Sequence, residues 1–319
     1  MSVAVLLAEL RRLDVRVWVD GDNLRCSAPP GALTGELREE LRQRKGDILG
    51  FLRMADGLAA QQRAIVPLQQ HGSRPPIFAV PGHSGDVFCY RSLARALGDE
   101  QPFFGLQPPG VDGRTPPLAR VEDLAAHFEA QIRAFRPQGP WIVAGFCAGG
   151  AVAFELAQRL LGGGDDSAGF LALFGAPYPH FYRPLRLALY RAENRVRLWR
   201  KRARIWSAQS ARERLAYLRW RLRRVSEAPD TVVMLRAKVE KAWIDAVRVY
   251  QPRGFAGRVF HFPASKAWAR SVKVQRWDPV AERASVFYGP DGCTGDDMLE
   301  VAHAEFARHL QRACTQAGF

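Results

Sequence analysis

From Ile77 onwards, short apolar runs typical of buried strands alternate with longer stretches of helical periodicity. The predicted strands lie at residues 77–80, 102–106, 141–144, 170–174, 258–262 and 284–288. Apolar residues at helical spacing predict helices at 90–97, 121–135 and 304–314, and a further helix over Val152, Leu156 and Leu160. Strands and helices that alternate in this way predict an α/β fold with a doubly wound, mostly parallel sheet.

The first 53 residues follow a different pattern and predict a small α+β unit. A helix is expected where Val3, Leu6, Leu7, Leu10 and Leu13 share one face. Residues 15–19 and 24–28 then predict a β-hairpin around a Gly/Asn turn, and a second helix is expected from residue 34. Residues 54–75 have few large apolar side chains and predict a linker, with residues 66–68 as an edge strand. The larger unit covers residues 76–319.

One junction in the larger unit has the form of a nucleophile elbow. The predicted strand at 141–144 runs into Gly145-Phe146-Cys147-Ala148-Gly149, and a helical pattern follows. A strand, a tight glycine-flanked turn and a helix expose the central residue on a strained backbone. Cysteine stands here where serine is usual. The helix N-terminus favours a thiolate, so we interpret Cys147 as the nucleophile.

Composition narrows the classes of protein to consider. The chain has 319 residues, 47% of them hydrophobic, which allows one large domain and a small one. Five scattered cysteines suggest neither a disulfide framework nor a metal site. No apolar run reaches membrane-spanning length and no signal-peptide pattern is present, so a cytoplasmic protein without a membrane partner is expected.

The net charge of +14 is concentrated in one segment. Residues 183–224 contain fourteen arginines and one lysine against two glutamates, which leaves the rest of the chain nearly neutral. No nucleic-acid recognition motif accompanies this charge, so nucleic acid is not expected as a partner. Apolar residues recur between the arginines at roughly helical spacing, which predicts helices with one solvated basic face.

Three stretches of the first unit form a recognisable pattern: residues 10–13 (LRRL), 17–24 (VWVDGDNL) and 28–34 (APPGALT). In these stretches the unit resembles the TubC-type N-terminal docking domains of nonribosomal peptide synthetases. It implies that residues 1–53 bind the C-terminal tail of an upstream synthetase subunit. An exposed hairpin edge is suited to accepting such a strand.

A set of short phrases marks the larger unit: VPL at 66–68, VFCYRSLA at 87–94, FGLQ at 104–107, GFCAGG at 145–150, AFE at 153–155, YPHFY at 178–182, YQP at 250–252 and Trp277. In these phrases the unit is similar to the thioesterase domains of nonribosomal peptide and polyketide synthetases. The resemblance implies an α/β-hydrolase fold with a helical lid, here the arginine-rich segment at about 178–235. It also implies that no cofactor is bound and that the substrate arrives on the phosphopantetheine of a carrier protein.

Two features of the site follow from this resemblance. The lid arginines, with Arg200, Lys201 and Arg202 at their centre, are candidates for attracting an acidic carrier protein and its phosphate. The family's oxyanion hole corresponds here to the backbone N–H groups of Ala148 and His83. Main-chain groups supply this hole, so side-chain identity matters little.

The acid and the base of the family's triad are absent from their expected positions. Gly175 stands where aspartate would follow the strand at 170–174, and residues 262–266 (FPASK) offer no carboxylate at the alternative position. Residues 291–299 (DGCTGDDML) should carry the histidine, but Gly or Thr stands in its place. His303 matches a non-catalytic histidine of the family.

Three hypotheses account for these absences. In the first, Cys147 works as a thiolate without a triad and passes a carrier-bound acyl or peptidyl group to a thiol or an amine, or cyclises it, rather than to water. In the second, His83 is a displaced base that also permits hydrolysis, with His180 a weaker candidate. In the third, the protein is catalytically inactive and serves as a docking scaffold.

Overall fold

The protein is described by a computed structural model. The structure describes residues 15–28, 32–50, 64–110, 115–162, 166–183, 231–270 and 277–319, together with a few isolated positions. Most of the first predicted helix and nearly all of the predicted lid, including Arg200, Lys201 and Arg202, lie outside these residues. The backbone alone is described at 231–236.

The small unit contains the predicted hairpin. Strand β1 (Arg16–Asp20) pairs antiparallel with β2 (Asn23–Ser27), with Val19 opposite Leu24. Helix α1 (Gly35–Gln43) begins at Thr34, whose hydroxyl accepts a hydrogen bond from the Leu37 N–H at 3.2 Å. Hairpin and helix therefore form where the turn and capping residues of the sequence predict them.

The larger unit is built on a mostly parallel sheet. Its strands in the described residues are β3 (Ile65–Gln69), β4 (Ile77–Val80), β5 (Phe103–Leu106), β6 (Trp141–Phe146), β7 (Gly169–Phe174), β8 (Phe255–Phe262) and β9 (Ala281–Val286). They are ordered β3-β5-β4-β6-β7-β8-β9. All neighbours run parallel except β3, which pairs antiparallel with β5. The edge strand expected at 66–68 is thus part of the sheet, although it falls within the predicted linker.

Helices cover both faces of this sheet. Helices α2 (Arg91–Ala96) and α7 (His303–Ala317) contact each other, and α7 packs on β7 and β8. Helices α3 (Val121–Phe135) and α4 (Gly149–Leu161) likewise pack together, with α4 against β6 and β7. Two further helices of the larger unit are α5 (Thr231–Val249) and α6 (Lys266–Arg270). The predicted doubly wound α/β fold is confirmed.

The strands of the sheet centre are buried on both sides, which explains their continuous apolar sequence. Every residue of β4 and β7 is buried. Phe174 stacks on Phe262 of the neighbouring strand with ring centroids 4.5 Å apart. In the ranges described above, no helix is long and apolar enough to cross a lipid bilayer.

Candidate functional site

Cys147 lies at the apex of the turn between β6 and α4. Its backbone has φ = 51°, a conformation that non-glycine residues seldom adopt. The Cys147 N–H donates a hydrogen bond of 3.0 Å to the carbonyl of Phe174 at the end of β7, which holds the turn against the sheet. A strained residue held in this way is typical of a nucleophile elbow, as the sequence predicts.

The elbow needs its two flanking glycines because neighbouring backbone comes too close for a side chain. A Cβ on Gly145 would lie 2.6 Å from the Cβ of Ala153 and 2.8 Å from the Cα of Gly150. A Cβ on Gly149 would overlap the carbonyl oxygen of Pro81. The turn can therefore close only with glycine at both positions.

His83 lies beside Cys147 because the strands that precede them are neighbours in the sheet. Strand β4 pairs parallel with β6, with Val80 opposite Gly145, so the loops after both strands leave the sheet at the same edge. The His83 Nδ1 atom lies 3.9 Å from the Cys147 Sγ atom. The structure thus brings the proposed displaced base to the sulfur.

Tyr182 contributes a second polar group that the sequence reasoning missed. It ends the 3₁₀ turn Pro179–Tyr182, which follows β7, and its side chain is buried. Its hydroxyl oxygen lies 3.8 Å from the Cys147 Sγ atom. The sequence signal was the YPHFY phrase, which showed the family resemblance but did not distinguish Tyr182 from its neighbours.

These contacts favour a thiolate paired with an imidazolium. Burial raises the pKa of the Cys147 thiol, but the hydrogen bond and charge of His83, the Tyr182 hydroxyl and the Ala148 N–H outweigh burial, so this pKa lies below its ordinary value. Burial lowers the pKa of His83, whereas the charges of Cys147, Glu240 and Asp296 and the bond to the sulfur raise it, to about 9. Such a pair titrates as a unit.

A carboxylate faces the other side of the imidazole. The Glu240 Oε1 atom on α5 lies 3.6 Å from the His83 Nε2 atom, the ring nitrogen opposite to the one that faces the sulfur. Cys147, His83 and Glu240 therefore form a continuous series of thiol, imidazole and carboxylate. No local motif marks Glu240 in the sequence, where it is one charged residue of an ordinary amphipathic helix.

Apolar packing fills the position at which the family carries its acid. Gly175 has φ = 49°, and a Cβ there would lie 2.7 Å from the Met298 Sδ atom and 3.7 Å from Trp268. In the loop where the family's base is expected, Thr294 donates a 2.6 Å hydrogen bond from its hydroxyl to Asp297. At the usual acid position, Met298 leaves no room for a side chain, and at the usual base position Thr294 stabilises its own loop.

Contacts of their own are made by His180, the weaker base candidate, by His303 and by Cys293 of the 291–299 loop. His180 packs edge-on against Tyr178, with ring centroids 5.0 Å apart. His303 Nδ1 lies 2.8 Å from the Glu300 carbonyl oxygen. Cys293 is buried and donates from its thiol to the Thr294 carbonyl at 3.5 Å. Over the part of the chain that the structure describes, no cluster of three His, Cys, Asp or Glu residues could hold a metal ion.

Comparison with known proteins identifies two families. The thioesterase domain family matches residues 75–248, and the TubC N-terminal docking domain family matches residues 3–53. The atromentin synthetase nps3 of Serpula lacrymans var. lacrymans is 34% identical over 125 residues, which cover 39% of this chain and 13% of that protein. A dimodular nonribosomal peptide synthase of Bacillus subtilis is 26% identical over 227 residues, which cover 67% of this chain and 9% of that protein. The chain therefore spans about a tenth of the length of these relatives.

Solved structures show the same fold. The NocB thioesterase domain from the nocardicin cluster superposes with a TM-score of 0.54 at 18% identity, covering 79% of this chain and 99% of that one. A four-domain nonribosomal peptide synthetase bound to AMP and glycine superposes with a TM-score of 0.57 at 16% identity, covering 78% of this chain and 20% of that one. These structures agree in fold, and the family match over residues 75–248, more than half of the chain, shows that the chain belongs to the thioesterase domain family, with a TubC-type docking domain at residues 3–53.

Proposed function

We propose that this protein acts in trans in nonribosomal peptide or polyketide biosynthesis, where it takes an acyl or peptidyl group from a carrier-protein thioester onto Cys147 and passes it to an acceptor. One observation carries the proposal: the Cys147 sulfur lies 3.9 Å from a histidine whose charge favours the thiolate. A thiolate is the reactive form of cysteine. The elbow presents the sulfur at the carboxyl end of a strand, where α/β-hydrolases carry their nucleophile.

The reaction proceeds in two steps, acylation of Cys147 and transfer to the acceptor. The Cys147 thiolate attacks the thioester carbonyl, the carbon–sulfur bond to phosphopantetheine breaks, and His83 gives its proton to the departing thiolate. An acceptor thiol, amine or hydroxyl then gives its proton to His83 and attacks the acyl-Cys147 carbonyl, which releases the Cys147 thiolate. The Ala148 N–H, which donates to the sulfur, and the predicted N–H of His83 would stabilise the oxyanion.

Transfer to a thiol or an amine, or cyclisation, is the outcome we favour over hydrolysis. A thiol or an amine is a better nucleophile than water and needs less help from a base to attack the acyl-Cys147 carbonyl. Hydrolysis is the second candidate, because a histidine within 3.9 Å of the sulfur can also accept a proton from water. A catalytically inactive scaffold is less consistent with a strained, glycine-flanked cysteine whose pKa is lowered.

An acylation experiment separates these outcomes. The full chain is incubated with an acyl group on a phosphopantetheinylated carrier protein, and intact mass and peptide mapping follow the adduct. We expect an acyl group on Cys147 that persists in buffer and leaves when N-acetylcysteamine or an amine is added. Rapid appearance of free acid in buffer would establish hydrolysis. Absence of any adduct would contradict the proposal that the protein takes up an acyl group as an enzyme.

Two variants control this experiment. Cys147→Ala should abolish the adduct, whereas Cys89→Ala, which removes another thiol of the larger unit, should leave it unchanged. Burial raises the pKa of Cys89 well above its ordinary value, so that thiol is a poor nucleophile. An adduct that persists in Cys147→Ala would assign the chemistry to a different residue.

The docking unit is proposed to recruit the protein to its synthetase. The hairpin of β1 and β2 supports this, since Trp18 on β1 has 45% of its surface exposed and offers an anchor beside an extended strand. The upstream subunit's C-terminal tail, as a labelled peptide, should bind the full chain and bind more weakly to Trp18→Ala. The same variant should acylate normally from an isolated carrier protein. Equal binding of the peptide by the parent protein and by Trp18→Ala would contradict this role of the hairpin.

A further inference from the structure

We propose that Glu240 is the positioning residue that holds the His83 ring against Cys147, so that the triad of this protein is completed from helix α5 instead of from the ends of β7 or β8. This inference rests on the proposed function of Cys147 and extends it to a residue outside the family's motif positions. The geometry supports it in three steps.

The first step is the placement of the ring between two partners. His83 Nδ1 faces the Cys147 sulfur at 3.9 Å, and Nε2 faces the Glu240 carboxylate at 3.6 Å. A carboxylate on Nε2 favours the tautomer that carries its proton there, which leaves Nδ1 free to accept the thiol proton. The same carboxylate then stabilises the imidazolium that forms.

The second step is the rigidity of the helix that carries the carboxylate. Val239, Trp243, Ala246 and Val247 lie on one face of α5 and are buried. The helix packs against α3 and against the 3₁₀ turn that carries Tyr182. Glu240 lies at the border of this buried face. Its backbone is already ordered by packing, so pairing with His83 requires ordering of the side chain alone.

The third step is the exclusion of other carboxylates. At Gly175 the Met298 sulfur occupies the space of the family's acid. Among the described residues, the charges of Cys147, Glu240 and Asp296 act on His83. Within the same residues, the Glu240 carboxylate lies within ion-pair distance of the ring. The charge of Asp296 helps to raise the pKa of His83, whereas we assign the orientation of the ring to Glu240.

The contact is half exposed, which limits its strength. The side chains of His83 and Glu240 retain 42% and 46% of their surface. Exposed pairs of this kind contribute little, so loss of the carboxylate should lower the pKa of His83 by about 0.5. Because His83 and Cys147 titrate together, the pKa of the thiol should rise in the same variant.

The test compares four full-length variants. Glu240→Gln removes the charge, Glu240→Asp keeps it on a shorter side chain, Asp245→Asn removes a carboxylate of the same helix that pairs with Lys241 and Arg248, and Asp296→Asn removes the competing carboxylate. The readouts are the pH midpoint for exchange of Cys147 with a disulfide reagent and the pKa and tautomer of His83 from imidazole NMR. His83→Ala assigns the imidazole signal.

Glu240→Gln should lower the His83 pKa, raise the Cys147 midpoint and slow exchange about twofold below that midpoint. Glu240→Asp should restore most of this change, and Asp245→Asn should match the parent protein. An unchanged His83 pKa and tautomer in a folded Glu240→Gln variant would overturn the proposal, as would a tautomer change in Asp296→Asn alone. If the midpoints shift as expected but no acyl group reaches Cys147, the positioning stands and the proposed function fails.

Discussion

Replacing His83 by alanine tests whether the imidazole activates the sulfur. The two groups lie 3.9 Å apart, and opposite charges at this distance attract by about 1 kcal/mol in water and about 4 kcal/mol near a protein surface. His83 retains 42% of its side-chain surface, so solvent screening favours the lower part of this range. A loss of about 1.4 kcal/mol corresponds to an increase of about 1 in the pKa of Cys147.

The sign and size of the rate change follow from this pKa. Below both midpoints, a pKa higher by about 1 leaves about tenfold less thiolate. A more basic thiolate is intrinsically about threefold more reactive in disulfide exchange, so the net rate should fall about three- to fourfold. In the parent protein, a second step is expected near pH 9, where His83 loses its proton and the thiolate loses its positive partner. The variant should show a single step.

The assay is exchange of the full chain with 4,4′-dithiodipyridine from pH 5 to 10, with peptide mapping to resolve the five cysteines. Cys293 and Cys314, whose burial raises the pKa of each thiol to about 11, should react slowly in every variant. His71→Ala, at an exposed histidine, is the matched control and should leave the profile unchanged. A His83→Ala profile with the parent midpoint and two steps would refute the reasoning.

Two further predictions address the neighbours of the site. Tyr182→Phe removes the hydroxyl 3.8 Å from the sulfur and should raise the exchange midpoint of Cys147 by less than His83→Ala does. Tyr288→Phe, at a half-exposed tyrosine, is the control and should leave the midpoint unchanged. An unaltered midpoint in Tyr182→Phe would exclude the hydroxyl as a donor to the sulfur. Gly175→Ala should lower the free energy of unfolding in urea by about 1–3 kcal/mol, because a positive φ and a 2.7 Å contact are both unfavourable there. Gly98→Ala, where φ is positive but no atom lies within 4 Å, should cost less; equal losses would show that the contact is relieved.

Much of the fold follows from local patterns. The continuous apolar runs of β4 and β7, the capping Thr34 and the glycines of the elbow each produced the element that the sequence predicted. Ends were less well defined: the strand expected at 284–288 lies at Ala281–Val286, and the last helix extends to Ala317. Ends depend on hydrogen bonds and caps whose energies are small compared with burial.

The site divides in the same way. The proposed nucleophile is a local feature, because a strand, a glycine turn and the start of a helix are enough to place Cys147 at an apex. The sequence also showed, by Gly175 and the residues of the 291–299 loop, that the family's acid and base were missing. It offered His83 as a displaced base, with His180 as the weaker candidate.

Which distant groups meet depends on how the strands and helices pack. His83 reaches Cys147 because β4 and β6 are paired neighbours, and Glu240 reaches His83 because α5 buries one face against α3 and the turn after β7. Both approaches depend on strand order and helix packing, over separations of 64 and 157 residues. The family resemblance had suggested His83, but no sequence feature indicated Glu240. Local patterns were therefore enough to locate the cysteine at the elbow. Long-range packing settled which imidazole and which carboxylate lie beside it.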